Sequence, residues 1–148
     1  MRALVQRVKS ASVSVGGEVV GKIDAGVLIF LGVTHSDTAK DVQYVADKCV
    51  NLRIFDDEQG LMNRSLMDIQ GEALIISQFT LYGDTSHGRR PSYSEAARPE
   101  PAKKLYEEFV AAVRAAGVAK VDTGIFAAEM LVELCNDGPV TLMVESKG

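Results

Sequence analysis

The residues best suited to chemistry are four side chains that directly follow a short apolar run. Ser77, Gln78, Phe79 and Thr80 come after residues 73–76, which are apolar and rich in β-branched side chains. Such a run predicts a central strand covered on both faces. Because sites on layered α/β domains lie where strands open into loops, we interpret the four residues as a pocket floor. An ordinary strand exit, with hydroxyls capping the next turn, is the alternative.

The remaining inventory offers little acid/base chemistry. His35 and His87 are the two histidines, and nothing in the sequence ties either to a nucleophile. There is no serine elbow, phosphate-binding glycine loop or His-Glu-x-x-His spacing. An enzyme built from this chain must therefore use backbone N–H groups, positioning, or a group carried by the substrate. We expect neither a metal nor a cofactor.

A second unusual stretch runs Asn136-Asp137-Gly138-Pro139-Val140-Thr141. It separates the strand-like segments 127–135 and 140–145, which predicts a hairpin with proline in its turn. A Gly-Pro bond adopts the cis form at a cost of about 1 kcal/mol, and the sequence leaves cis and trans both open. A stiff turn of this kind presents its carbonyl groups in a fixed direction and can enter a pocket.

Composition indicates a soluble globular protein of one domain, residues 1–148, with 47% hydrophobic and 24% charged residues. No apolar run is long enough for a membrane span and no signal peptide is evident, so we expect a cytoplasmic protein. The net charge of −4 argues against coating nucleic acid through a general positive field. Contact with one RNA end through a local patch stays possible.

The element order predicts an α/β fold with mixed, mostly antiparallel sheets and two main helices on one face. Three strands precede any helix. One helix is expected over residues 38–50, capped by Asp37, and a second over residues 102–116 after Pro99 and Pro101. Short strands are expected over residues 52–55 and 118–121.

Taken together, the motif 77–80 and the motif 136–141 resemble the D-aminoacyl-tRNA deacylases, also called D-tyrosyl-tRNA deacylases. The resemblance covers essentially the whole chain, with further agreement at residues 51–55, 62–63, 88–92 and 123–126. It implies a homodimeric hydrolase that cleaves the ester between a D-amino acid and the terminal ribose of tRNA. It also implies three layers, two of sheet and one of helices.

The resemblance further assigns roles to residues. Ser77, Gln78, Phe79 and Thr80 line one wall of the pocket, and a cis Gly138-Pro139 turn enters it from the partner subunit to reject L-amino acids. Phe126 and Met130 help to form the pocket, although Ala127 stands where family members commonly have glycine. Because glycine has no side chain to obstruct, glycyl-tRNA is an expected second substrate.

The mechanism and the RNA contacts follow as expectations. An aminoacyl ester is already activated, so the ribose 2′-hydroxyl can take the place of a side-chain base. Thr80 then has a positioning role, and a role as nucleophile is the alternative. For contact with the tRNA 3′ end we expect Arg89 and Arg90, with help from other basic side chains, namely Arg7, Lys9, Lys103 and Lys104. The rival function is a non-catalytic dimer that binds a small molecule or an RNA end.

Overall fold

A computed structural model describes residues 1–147. The strands are β1 (Arg2–Val15), β2 (Glu18–Ile23), β3 (Gly26–Gly32), β4 (Phe55–Asp56), β5 (Met62–Arg64), β6 (Glu72–Ser77), β7 (Lys120–Thr123) and β8 (Leu131–Glu145). The helices are α1 (Ala39–Asn51) and α2 (Pro99–Ala115), and a 3₁₀ turn spans Phe79–Tyr82. In the described part of the chain, neither α-helix is long and apolar enough to cross a membrane.

The long strand β1 organises the main sheet. Its first half pairs antiparallel with β3, from Arg2 opposite Gly32 to Val8 opposite Gly26. Its second half pairs antiparallel with β2, and β8 runs along its other edge. Beyond β3 the sheet continues through β6 and β7 in parallel. The sheet is therefore mixed, and the predicted α/β class is confirmed.

Two apolar cores lie on opposite faces of β3 and β6. One is formed against the helices, with Phe109 and Ile75 among its members. The other, which includes Val13 and Leu74, is covered by β2 and the second half of β1. β2 passes so close to the parallel strands that a Cβ at Gly21 would lie 2.7 Å from the carbonyl oxygen of Thr123. These contacts produce the expected three layers, two of sheet and one of helices.

The predicted hairpin over residues 127–145 is wrong. β8 is one continuous strand, and both of its halves pair with β1 in the same direction. Asn136 lies opposite Val8, and Thr141 lies opposite Gln6. Residues 137–140 therefore bulge out of the ladder opposite Arg7. The chain does not reverse, because β1 is long enough to pair with the strand on both sides of the bulge.

The helix boundaries also differ from expectation. Thr38, not Asp37, caps α1: its hydroxyl accepts from the amide of Lys40 at 3.3 Å, and the Asp41 carboxylate accepts from the amide of Thr38 at 2.8 Å. Asp37 instead accepts a hydrogen bond from the amino group of Met1 at 2.7 Å. The second helix begins at Pro99, since the first turn of a helix tolerates prolines.

Candidate active site

A cavity of about 620 Å³ opens where β6 ends. Its volume lies in the range of sites that hold small ligands. Three of the four motif residues line it, namely Ser77, Gln78 and Phe79, together with Phe126 and Met130. The other lining residues are Tyr93, the carboxylate Glu129 and a mostly small, apolar set: Leu31, Val33, Ile76, Ala96, Ala97, Pro99, Ala102, Ala127, Ala128 and Val132. The sequence-predicted pocket residues are thus brought together, with Thr80 as the exception.

The floor of the cavity is the junction between β6 and the 3₁₀ turn. Residues 73–76 are at most 1% exposed, as expected for a central strand. The amide of Gln78 donates to the carbonyl of Leu31 at 2.8 Å, which fixes the strand exit against β3. The next two amides, those of Phe79 and Thr80, donate to no acceptor within residues 1–147. Two backbone donors are therefore left unpaired at the start of the 3₁₀ turn, and of these two residues Phe79 lines the cavity while Thr80 does not.

The side chain of Thr80 lies at the rim, exposed to solvent, and is not among the residues that line the cavity. Its hydroxyl accepts a hydrogen bond from the side-chain amide of Gln78. Among the described residues, no carboxylate or imidazole is hydrogen-bonded to this hydroxyl. The site therefore lacks the adjacent base that activates a threonine nucleophile.

The loop over residues 84–98 forms a second wall of the cavity. Its main contribution is the side chain of Tyr93, which was not predicted from the sequence. The Tyr93 ring packs edge to face on Phe79, with centroids 5.2 Å apart. The loop is tied to the end of β3 by two side chains: the Thr34 hydroxyl donates to the carbonyl of Glu95 at 2.5 Å, and His35 Nε2 lies 2.6 Å from the carbonyl of Ser94. These bonds give His35 a structural role.

A third wall is the turn between β7 and β8. Phe126 packs against the buried ring of Tyr106, at 5.9 Å between centroids. The Tyr106 hydroxyl donates to the carbonyl of Ile75 at 2.9 Å, and burial raises the pKa of this phenol to about 12. The phenol therefore stays protonated and keeps donating to β6. Met130 lies close to the backbone at Gly124, where a Cβ would be 2.5 Å from its sulfur.

Ala127 occupies the left-handed region of the backbone, with φ of +65°. Glycine, which the resemblance leads us to expect at this position, adopts this conformation without strain. For a residue with a Cβ, this left-handed conformation costs about 1–2 kcal/mol in free energy. The turn is anchored by the packing of Phe126 on Tyr106 and of Met130 on the backbone at Gly124.

Gly138 and Pro139 lie in the β8 bulge, and the peptide bond between them is cis. Neither residue lines the cavity of its own chain. Val132, the β8 residue at the cavity, is about 20 Å away along the strand. The bulge is held by Arg7, whose Nε donates to the carbonyl of Asp137 at 3.0 Å.

The basic residues fall into two groups. Arg89 and Arg90 are exposed on the loop that carries Tyr93, and Lys9, Lys103 and Lys104 are also exposed. Arg7 is only 8% exposed, and its guanidinium is used inside the chain. The expectation that Arg7 helps to bind RNA is therefore wrong, because strand alternation in β1 turns this side chain inward.

Comparisons with known proteins show which enzymes this chain is similar to. A family model described as D-Tyr-tRNA(Tyr) deacylase matches residues 4–145. The D-aminoacyl-tRNA deacylase of Fervidobacterium nodosum is 63% identical over 147 residues, which cover 99% of this chain and 98% of the relative. That of Clostridioides difficile is 59% identical over 146 residues, covering 99% of this chain and 97% of the relative.

Two solved structures share the fold of this chain. One described as c-Myc DNA Unwinding Element Binding Protein is 40% identical and covers both chains completely, with a TM-score of 0.95. A probable eukaryotic D-amino acid tRNA deacylase shares the fold at 17% identity, with a TM-score of 0.83 over 97% of this chain and 98% of its own.

The chain is thus a carboxylic ester hydrolase. It belongs to the D-Tyr-tRNA(Tyr) deacylase family. This membership favours the enzyme over the non-catalytic binding protein that was the rival reading of the sequence.

Proposed function

We propose that the protein hydrolyses the ester bond of D-aminoacyl-tRNA, and of glycyl-tRNA, releasing the free amino acid and tRNA in the cytoplasm. The observation that carries this proposal is a small, largely apolar cavity whose floor leads into a turn with two unpaired backbone donors, the amides of Phe79 and Thr80. Glu129 is the one carboxylate among the described residues that line the cavity, so no acid/base pair accompanies these donors. An aminoacyl ester suits such a site because its carbonyl carbon is already activated toward water.

The amides of Phe79 and Thr80 are assigned as the groups that donate hydrogen bonds to the ester carbonyl oxygen. As water attacks, negative charge develops on the carbonyl oxygen, and preorganised N–H donors stabilise that charge without reorganising. The ribose 2′-hydroxyl accepts a proton from the attacking water and passes its own to the departing 3′-oxygen. Thr80 and Gln78, which are hydrogen-bonded to each other, position the substrate at the rim.

Rejection of L-amino acids is assigned to Gly138 and Pro139 of a partner subunit. A few contacts discriminate a single group by only about 1–3 kcal/mol, so an obstruction is the stronger device. Since the bulge lies about 20 Å along β8 from the cavity of its own chain, only a second copy can bring it to the site. Glycine has no side chain for the turn to obstruct, so glycyl-tRNA is expected to enter the cavity.

The surface of β8 suits such a partner. Within residues 1–147 this 15-residue strand pairs with β1 on one side alone, which leaves its other edge open. It also exposes apolar side chains, among them Leu131 at 74%, Met143 at 46% and Leu142 at 41%. Long edges with exposed apolar groups favour pairing between chains, so the proposed active form is a homodimer.

Arg89 and Arg90 are assigned to the phosphates of the tRNA 3′ end. Both are exposed, and they lie four and three residues before Tyr93 in the loop that forms the second wall of the cavity. Because few phosphates are neutralised, the dependence of binding on salt should be shallow.

The test is hydrolysis of matched D-aminoacyl-, L-aminoacyl- and glycyl-tRNA at one enzyme concentration. We expect the D and glycyl esters to be cleaved and the L ester to survive. Equal cleavage of D and L esters, or glycyl-tRNA that survives where the D ester is cleared, contradicts the proposal.

A further inference from the structure

The 3₁₀ turn over Phe79–Tyr82 is held from behind by a side chain of β1. Nη1 of Arg2 donates a hydrogen bond to the carbonyl of Leu81 at 2.9 Å, although the two residues are 79 positions apart in the chain. We propose that Arg2 is a positioning residue for the hydrolysis, which acts through Leu81 on the two unpaired amides of the turn. The inference rests on the proposed function and adds to it a residue that does not line the cavity.

The two unpaired amides lie between two fixed points of the backbone. Before them, the amide of Gln78 donates to the carbonyl of Leu31 at 2.8 Å. After them comes the carbonyl of Leu81, which Arg2 holds. Because the backbone is fixed on both sides, the peptide planes between these points have little freedom to rotate, and each N–H group keeps its direction. Donors that are fixed before the reaction stabilise a developing charge without reorganising.

The strand register explains why this side chain reaches the turn. Arg2 and Gly32 lie directly opposite each other on β1 and β3, so their Cβ positions project from the same face of the sheet. A Cβ at Gly32 would lie 3.1 Å from Leu81 Cβ and 3.2 Å from Tyr82 Cδ2, so the turn packs where this glycine has no side chain. Arg2 therefore reaches the turn from the neighbouring strand.

The guanidinium of Arg2 is itself held by two further contacts. Its Cζ lies 4.5 Å from the centroid of the Tyr82 ring, which is a cation–π distance. Its Nε lies 3.3 Å from a carboxylate oxygen of Glu145 on β8. A guanidinium is a planar fork of donors, so these contacts also give the hydrogen bond to Leu81 a fixed direction. The donor is charged, which makes this bond stronger than one between neutral groups.

The side chain of Arg2 is 38% exposed, so a direct contact with an RNA phosphate and a purely structural role are the alternatives. Kinetic constants separate the three roles. Loss of a phosphate contact raises KM, whereas misplaced donors to the transition state lower kcat and leave KM unchanged. A purely structural role lowers the free energy of unfolding and leaves both constants of the folded protein unchanged.

Hydrolysis of D-tyrosyl-tRNA by Arg2→Met and Arg2→Lys tests the proposal. Arg2→Met keeps a long side chain but removes its donors, and the amides are then misplaced rather than removed. Because outright removal of one such donor costs about 10²- to 10³-fold, we expect a smaller fall in kcat, of about 5- to 50-fold, with KM within about twofold of the wild type. Arg2→Lys keeps a charged donor and should recover most of the loss.

Arg64→Met is the matched control. The side chain of Arg64 is 42% exposed and its Nη2 lies 3.4 Å from Glu58, so it too is a partly exposed arginine beside a carboxylate. It lies on β5 and does not line the cavity. Its replacement should leave kcat and KM unchanged. Thermal unfolding shows whether each variant is folded, and Arg2→Gln, which is shorter and uncharged, replaces Arg2→Met if that variant is not.

Amide resonances in ¹H–¹⁵N NMR spectra give a readout that is independent of hydrolysis. We expect the resonances of Phe79 and Thr80 to shift or broaden in Arg2→Met and to keep their wild-type positions in Arg64→Met.

The outcomes separate this inference from the proposed function. Wild-type kcat in a folded Arg2→Met, a raised KM at unchanged kcat, or an equal loss of kcat in Arg2→Lys overturns the positioning role and leaves the proposed function standing. If the resonances of the turn change in Arg2→Met but the wild-type protein cleaves no D ester, the control of the turn by Arg2 is supported and the proposed function is overturned.

Discussion

Arg7 donates a hydrogen bond from Nε to the carbonyl oxygen of Asp137 at 3.0 Å, and so supports the β8 bulge from inside the sheet. Its Nη1 donates to the carbonyl of Ile54 at 2.6 Å, and the carboxylates of Asp137 and Asp56 lie 3.6 and 3.8 Å from the guanidinium. Arg7 is the β1 residue opposite the bulge. The direction in which the bulge points is therefore fixed within one chain.

Replacing Arg7 should loosen this support. Arg7→Ala removes the donor to the buried carbonyl of Ile54 and to the partly buried carbonyl of Asp137, and we expect the free energy of unfolding to fall by about 2–4 kcal/mol. Arg7→Lys keeps the charge but not the planar fork of donors. Its free energy of unfolding should therefore lie between those of the wild type and Arg7→Ala. Chemical denaturation measures both, and a Lys variant with wild-type stability and wild-type preference for D esters would refute a positioning role.

Gly138→Ala should disturb the bulge itself. Gly138 has φ of +124°, and a Cβ there would lie 2.8 Å from Arg7 Nη2 and 2.9 Å from Val140 Cγ2. We expect a strain of about 1–3 kcal/mol and increased hydrolysis of L esters. Gly17→Ala is the control: Gly17 also has positive φ, +84°, but nothing lies within 4 Å of its Cβ position. Gly17→Ala should lower the free energy of unfolding without changing the hydrolysis of L esters. An identical change in L-ester hydrolysis in both variants would contradict the role of the bulge.

Ala127→Gly should stabilise the protein. At φ of +65° the alanine pays for a conformation that glycine adopts freely, so we expect a gain of about 1 kcal/mol in the free energy of unfolding. Ala128→Gly next to it, where φ is not positive, should give no gain. A loss of stability in Ala127→Gly would show that the methyl group contributes more by packing than it costs in strain.

Thr80→Ala separates the two mechanisms. Since no base among residues 1–147 is hydrogen-bonded to the Thr80 hydroxyl, we expect this variant to keep most of the wild-type kcat. A substrate with a 2′-deoxy terminal adenosine should instead react about 10²- to 10⁴-fold more slowly, which is the usual contribution of a positioned proton-transfer group. If Thr80 is the nucleophile, the pattern reverses and Thr80→Ala loses about 10⁶-fold.

The sequence predicted the elements with strong local patterns. The buried strand at residues 73–76 and the pocket floor after it were recognised because continuous apolar runs and a following change to polar residues are local features. Both helices were found to within a few residues. Agreement of two separated motifs also identified the family that the comparisons show.

What the sequence did not predict depends on partners that are distant along the chain. The acceptor that keeps Arg7 inside the protein is the carbonyl of Ile54, 47 residues away, and no local pattern indicates it. The continuity of β8 depends on the length of β1, which a turn motif read by itself does not show. Tyr93 was missed for the same reason, because its contact with Phe79 spans a loop.

The central claim is that the bulge of one subunit controls which enantiomer reaches the cavity of the other, and a mixed dimer tests it most directly. One chain carries Gly138→Ala and an intact cavity. The other carries an intact bulge and a cavity filled by Ala128→Trp. Two affinity tags purify the mixed species, in which the only open cavity faces the only intact bulge.

The measurement is the ratio of D- to L-aminoacyl-tRNA hydrolysis by this mixed dimer and by the Gly138→Ala homodimer. We predict that the mixed dimer recovers the wild-type preference for the D ester, while the homodimer cleaves both. A mixed dimer that cleaves the L ester as readily as the homodimer would show that the bulge does not act across the subunits.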